Sequence, residues 1–293
     1  MSGGGGRQWV WVLILVFAVV SMSTSIVFLR WSSLHPVQVS GWRMLGAAVV
    51  MGPLFLWEWR KHRGEMEVGK LVKCVWPGLF FGLHLVVWVV GARMTAAANA
   101  ALAVNMVTAV LPLFLWLLVR ERITGRELLG TVVALVGLGV MALGDVEIGG
   151  AYWRGDLVCF GAMVLLALYL TFGRKSGREF PGHWLYMVPV YAVAAVVCFG
   201  LHPVMGVAFV LPRGEEALWI VGLVVLPTVC GHGLVNMALR HWRGQVVGVF
   251  NQAQFVSAGV MGFFAFGEVP GWSFLVASVL VVTGAVVVAR AHG

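Results

Sequence analysis

RMTAAANAALAVN, residues 93–105, sets one arginine ahead of an alanine-rich run carrying two asparagines. Glu121 and Gly137 follow downstream. The same three residue types return as Arg240, Glu268 and Gly284, each 147 residues after its first occurrence. In a chain of 293 residues that offset is half the length. It also carries Asn105 onto Gln252, a second side-chain amide. The chain therefore reads as two related units, residues 1–145 and 146–293.

The composition places both units in a membrane. The chain is 60% hydrophobic and 11% charged, with mean hydropathy +0.94. Soluble domains are about 45–50% apolar and about 25% charged. A helix needs about 20 mostly apolar residues to cross a bilayer, and such runs recur from end to end. The first, residues 9–29, exceeds the roughly 7–15 apolar residues of a signal peptide and is read as a span. The net charge of +8 comes from basic residues set between apolar runs, which suits membrane orientation better than nucleic acid. Cys74, Cys159, Cys198 and Cys230 lie in apolar stretches without a CxxC pair, so they are expected to be buried thiols.

Charge clusters and Gly/Pro breaks divide the chain into ten expected spans: 9–29, 36–57, 74–92, 96–118, 126–144, 156–173, 184–203, 217–239, 245–266 and 272–289. With both termini cytoplasmic, most basic residues fall on the inner side; Arg30, Arg93, Arg154 and Arg213 fall outside and Arg43 inside a span. Five spans per unit is an odd number, so the second unit enters the membrane inverted. The expected fold is all-α: ten transmembrane helices in two inverted five-helix repeats. Transporters built this way carry their substrate site near the midplane, between the halves.

Two stretches carry a family resemblance. TAAANAALAVNMVTAVLPLFLWLLVRERITGRELLGTVVALVGLGVMALGD and GQVVGVFNQAQFVSAGVMGFFAFGEVPGWSFLVASVLVVTGAVVVA each resemble the second half of an EamA repeat. In that pattern a small-residue helix ends in Gly-Glu, and a short turn leads into a Gly-rich helix. FLRWSSLHPVQVSGWRMLGAA is similar to the segment joining the family's first two helices. The resemblance is to the ten-helix branch of the drug/metabolite transporter (DMT) superfamily. It implies a metabolite exporter with a central cavity. Two departures stand out: Arg120 replaces the usual Gly before Glu121, and residues 156–203 lack an arginine equivalent to Arg43.

Polar groups inside a bilayer are costly and mark functional sites. The amides Asn105 and Gln252 are equivalent under the repeat and suit a cavity that holds a zwitterion or a polyol. His84 and Trp88 share a face at i, i+4; His232 and Asn236 repeat that spacing. Tyr169 is a further candidate for the cavity wall. Helix–helix hydrogen bonding is the competing role for each of these residues. Arg43 is assigned to an outer gate or a structural role ahead of substrate binding. Glu121 and Glu268 sit at helix ends, where they suit capping or a gate.

The expected function is secondary export of a small polar or amphipathic metabolite by alternating access, with amino acids the leading class. The expected location is the cell inner (plasma) membrane. The alternatives are an intramembrane enzyme acting on a lipid-linked substrate and a DMT-type transporter of sugar phosphates or nucleotide sugars. No enzyme motif appears, so no catalytic residue, metal or cofactor is assigned. The expected partners are a small-molecule metabolite and membrane lipid, not nucleic acid; the oligomeric state is open, a monomer being admissible.

Overall fold

A computed structural model of the chain describes residues 4–120, 124–147, 152–238 and 253–290. Every regular element among them is helical. The first half contains α1 (Gly4–Trp31), α2 (Pro36–Lys61), a 3-10 turn (Val68–Cys74) running into α3 (Val75–Met94), α4 (Ala97–Asn105), α5 (Val107–Val119) and α6 (Gly125–Glu147). The second contains α7 (Trp153–Gly177), α8 (His183–Val204), α9 (Glu215–Leu223), a π-helical stretch (Val224–His232), α10 (Gly233–Ala238), α11 (Gln254–Phe266) and α12 (Trp272–Arg290). Seven described segments are long and apolar enough to cross a membrane, and residues 254–266 and 272–284 add two shorter apolar helices.

The element ends follow from local chemistry. Thr124 and Glu127 form a capping box at α6: Glu127 Oε2 accepts from the Thr124 amide at 2.6 Å, and Thr124 Oγ1 accepts from the Glu127 amide at 3.2 Å. The helix α5 ends on Arg120 with φ 59°, and α11 ends on Gly267 with φ 69°. Those two residues are 147 apart. Both halves thus stop the same helix with a left-handed residue, but only the second uses glycine, which adopts that conformation without a Cβ penalty.

Two spans expected as single helices are interrupted. The fourth breaks at Met106, between α4 and α5. Side chains compete with the backbone there: Asn105 Nδ2 donates to the Ala101 carbonyl at 2.9 Å, and Thr108 Oγ1 to the Asn105 carbonyl at 2.7 Å. The eighth widens into a π-helix around Pro227. Proline has no amide hydrogen for the Leu223 carbonyl; Thr228 Oγ1 donates to it instead, at 2.8 Å.

The halves pack on each other throughout: α2 on α8, α3 on α7 and α8, α1 on the π-helical stretch, α4 on α11, and α6 on α12. The last interface explains the glycine pair. A Cβ on Gly137 would lie 3.1 Å from the Ala277 carbonyl and 3.2 Å from Val281; one on Gly284 would lie 2.5 Å from the Gly130 carbonyl and 3.0 Å from Ala134. Ala277 and Val281 are Gly130 and Ala134 advanced by 147. The contact is therefore two-fold related, and the two helices run antiparallel. The GLFFG stretch is another close approach: Cβ atoms on Gly78 and Gly82 would come within 2.5 Å of Val193 and 2.9 Å of the Ala194 carbonyl.

Candidate functional site

Where the halves meet, a cavity of about 210 Å³ opens. Its wall draws on α1, α2, α3, α4, the start of α5, α7, α8, the π-helical stretch, α10 and α11. The fourth-span break and the eighth-span π-helix both end on it, at Asn105 and His232. Interrupted helices at a binding site are a recurrent device in transporters, because they free polar groups at membrane depth.

The structure brings His84, Trp88, Asn105, Tyr169 and His232 together around this one cavity. Gln252 and Glu121 lie outside the described residues, as does the side chain of Asn236. Arg43 also lines the cavity, about 10 Å along α2 from its start.

An aromatic cluster forms one side. Phe81 stacks on Tyr169 with centroids 4.6 Å apart, and lies 5.9 Å from Tyr191 and 6.1 Å from His84. His84 Nδ1 donates to the Ala162 carbonyl at 2.8 Å, since a carbonyl only accepts. That bond fixes the tautomer of a neutral ring and turns Nε2 to other partners.

On the polar side, Asn105 Nδ2 donates to Gln254 Oε1 at 3.2 Å, an amide-to-amide contact across the halves by a residue that the sequence reading did not single out. Arg43 Nε donates to Thr228 Oγ1 at 2.9 Å. Thr228, fully buried, is a residue the sequence reading missed. The signal was present in its place directly after Pro227.

A second polar cluster lies at the α1, α3 and α4 ends. Arg30 pairs with Glu268 at 2.6 Å, donates from Nε to the Ala92 carbonyl at 2.9 Å, and also bonds the Thr95 carbonyl. Glu268 Oε2 accepts from the Ala97 amide at 2.8 Å, capping α4 from the other half. Arg93 donates to the carbonyls of Leu29, Ser32 and Leu34, satisfying the open end of α1. Glu216 accepts from Ser32 Oγ at 2.7 Å and from Ser33 Oγ at 2.6 Å, tying α9 to the α1–α2 connection. Arg30 was a missed partner here. On the other side Glu58 Oε2 accepts from the Trp184 and Leu185 amides at 2.8 and 3.1 Å, capping α8.

A helical bundle wrapped around an interfacial polar cavity, with paired halves, defines a multi-pass membrane protein of transporter type. The EamA-like transporter family model matches residues 9–143 and again 153–290. The chain belongs to the EamA-like transporter family, and so to the drug/metabolite type; members of that family are transporters rather than enzymes. One solved structure it matches, described only as a crystal structure of a protein, shares the fold at TM-score 0.63 with 19% identity, over 95% of this chain and 96% of that one. No curated protein matches the chain.

Proposed function

We propose that the protein is a secondary transporter that exports a small polar or amphipathic metabolite by alternating access. Ten spans form two inverted five-helix repeats, residues 1–145 and 146–293, with both termini cytoplasmic and the chain in the plasma membrane. The observation that carries this reading is the cavity itself: both halves line it, and two of its polar residues, Asn105 and His232, sit where helices are interrupted. The antiparallel, two-fold-related packing of α6 on α12 supports inversion, since parallel repeats would set equivalent helices side by side in one direction.

The cavity of about 210 Å³ is smaller than the roughly 300–1,000 Å³ of drug-sized ligand sites. That size favours a single small metabolite over a nucleotide sugar. Amino acids remain the class to test first. The two clusters of cross-half bonds, Arg30–Glu268 and Glu216–Ser32/Ser33, act in this reading as contacts that break when the halves rock. An intramembrane enzyme acting through acids or a thiol would need them gathered in the cavity, and no Asp, Glu or Cys lines its described wall.

Counterflow in proteoliposomes tests the proposal. Vesicles preloaded with unlabelled metabolites should take up the matching labelled compound, and Asn105→Ala or Gln254→Ala should slow that uptake at unchanged protein folding. Uptake equal to protein-free vesicles across amino acids, organic acids and phosphorylated metabolites would reject it.

A further inference from the structure

The donors and acceptors of the cavity do not balance. Arg43 is only 4% exposed, yet its one partner is Thr228, through Nε. Its two terminal nitrogens have no partner among the described residues. Trp88 Nε1, in the same wall, is a second buried donor with no partner among them. Two wall acceptors are taken, Gln254 Oε1 by Asn105 and Thr228 Oγ1 by Arg43, and the imidazole of His84 is neutral, so it offers Arg43 no countercharge. Among the described residues every acidic one lies toward a helix end or in a connection, so none of them is placed at mid-span to pair with Arg43. A guanidinium buried in a bilayer without an acidic partner is expensive, and such a residue marks a pathway or a ligand.

We infer that the transported molecule carries a single carboxylate that docks on Arg43, with an apolar, preferably aromatic, body held against Phe81, Tyr169 and Tyr191. Charge argues for a monoanion: one buried cation offsets one negative charge, whereas a phosphate dianion would leave a net charge desolvated. The planar guanidinium fork matches a carboxylate in two parallel bonds. The free donor on Trp88 gives a carboxylate oxygen a further partner. The stacked Phe81–Tyr169 pair offers a flat apolar face on the same cavity. An α-ammonium finds no carboxylate on the described wall, so an amino group adds nothing to binding. His84 and His232 line the same space as neutral polar groups.

This deepens the transport proposal and rests on it for the word "transported", but binding is measurable without transport. Full-length protein in detergent is titrated with radiolabelled hydrocinnamate, then competed with hydrocinnamamide, phenethylamine and phenylalanine. The expected result is saturable hydrocinnamate binding, with the amide and the amine weaker by at least about tenfold, the scale of a lost charge-assisted pair. Phenylalanine binds no tighter than hydrocinnamate. Arg43→Gln should lower hydrocinnamate affinity at least about tenfold while leaving the amide unchanged, and Arg43→Lys should restore part of the difference. Equal binding of acid, amide and amine by the native protein overturns the inference. So does equal loss for acid and amide in Arg43→Gln, which is what a purely structural arginine gives. So does failure of hydrocinnamate to bind. Should Arg43→Gln not fold, the native protein's ranking of the ligands decides alone. Binding without hydrocinnamate counterflow would leave the anion site standing and remove the transport reading.

Discussion

Thr228 shows how one side chain can join two problems. Its hydroxyl donates to the carbonyl that Pro227 leaves open and accepts from Arg43. Thr228→Val keeps the shape and removes both bonds. Losing the second leaves the buried Arg43 Nε unsatisfied, at about 1–3 kcal/mol. Thermal unfolding in detergent should therefore show a clear loss of stability, and Thr228→Ser should recover most of it. A valine variant as stable as the native protein would mean that water or lipid meets those groups instead. At this scale the sequence was legible in residue type and less so in partnership. Asn105, His84, Trp88, Tyr169 and His232 were singled out as polar or aromatic groups at membrane depth, and the structure sets them around one cavity. Gln254 was not, because a linear offset marks equivalent positions and does not mark every residue that the crossing of α4 and α11 brings to Asn105.

At the scale of the element, the two repeats solve the same turn with unequal means. Arg120 holds a left-handed conformation that costs a residue with a Cβ roughly 1–2 kcal/mol, whereas Gly267 holds it freely. Arg120→Gly should therefore raise the apparent melting temperature, by the equivalent of about 1 kcal/mol, and Gly267→Ala should lower it by a similar amount. The glycines of α6 and α12 separate by environment. Gly284→Ala drives a methyl against the Gly130 carbonyl at 2.5 Å, backbone that has little room to move; a loss of about 1–3 kcal/mol is expected. Gly139 has nothing within 4 Å of its Cβ position, so Gly139→Ala should be neutral or gain up to about 1 kcal/mol from helix propensity. Thermal shifts on the four variants check the order. The sequence supplied helix positions to within a few residues, because apolar runs and charge clusters set them. The interruptions at Met106 and Pro227 were hidden: prolines occur within other helices here, such as Pro53 and Pro189, without a change of helix type, so tertiary contacts decide which prolines matter.

Over the whole molecule, an arrangement of two halves around one cavity makes sense as a device with two openings. The cross-half bonds at Arg30–Glu268 and Glu216–Ser33 are partly exposed, so each contributes modestly and can be broken without a large penalty. The tight glycine contacts within the α6–α12 and α3–α8 pairs have no such give. The proposed rocking would therefore have soft contacts to break and stiff ones to pivot on. The repeat offset made this architecture readable from the sequence, since Arg, Glu, Gly and an amide recur at one spacing. What the molecule carries was not readable, because it depends on which donors stay unpaired once the helices cross.

The most direct test of the central claim asks whether one cavity residue faces both sides of the membrane in turn. Val104 lines the cavity. In a background with the four native cysteines replaced, Val104→Cys is challenged with a membrane-impermeant thiol reagent applied from the outside of oriented vesicles and, separately, from the inside. The account predicts modification from each side, with transported substrate slowing both. Modification from one side alone, unchanged by substrate, would describe a fixed pocket and contradict alternating access.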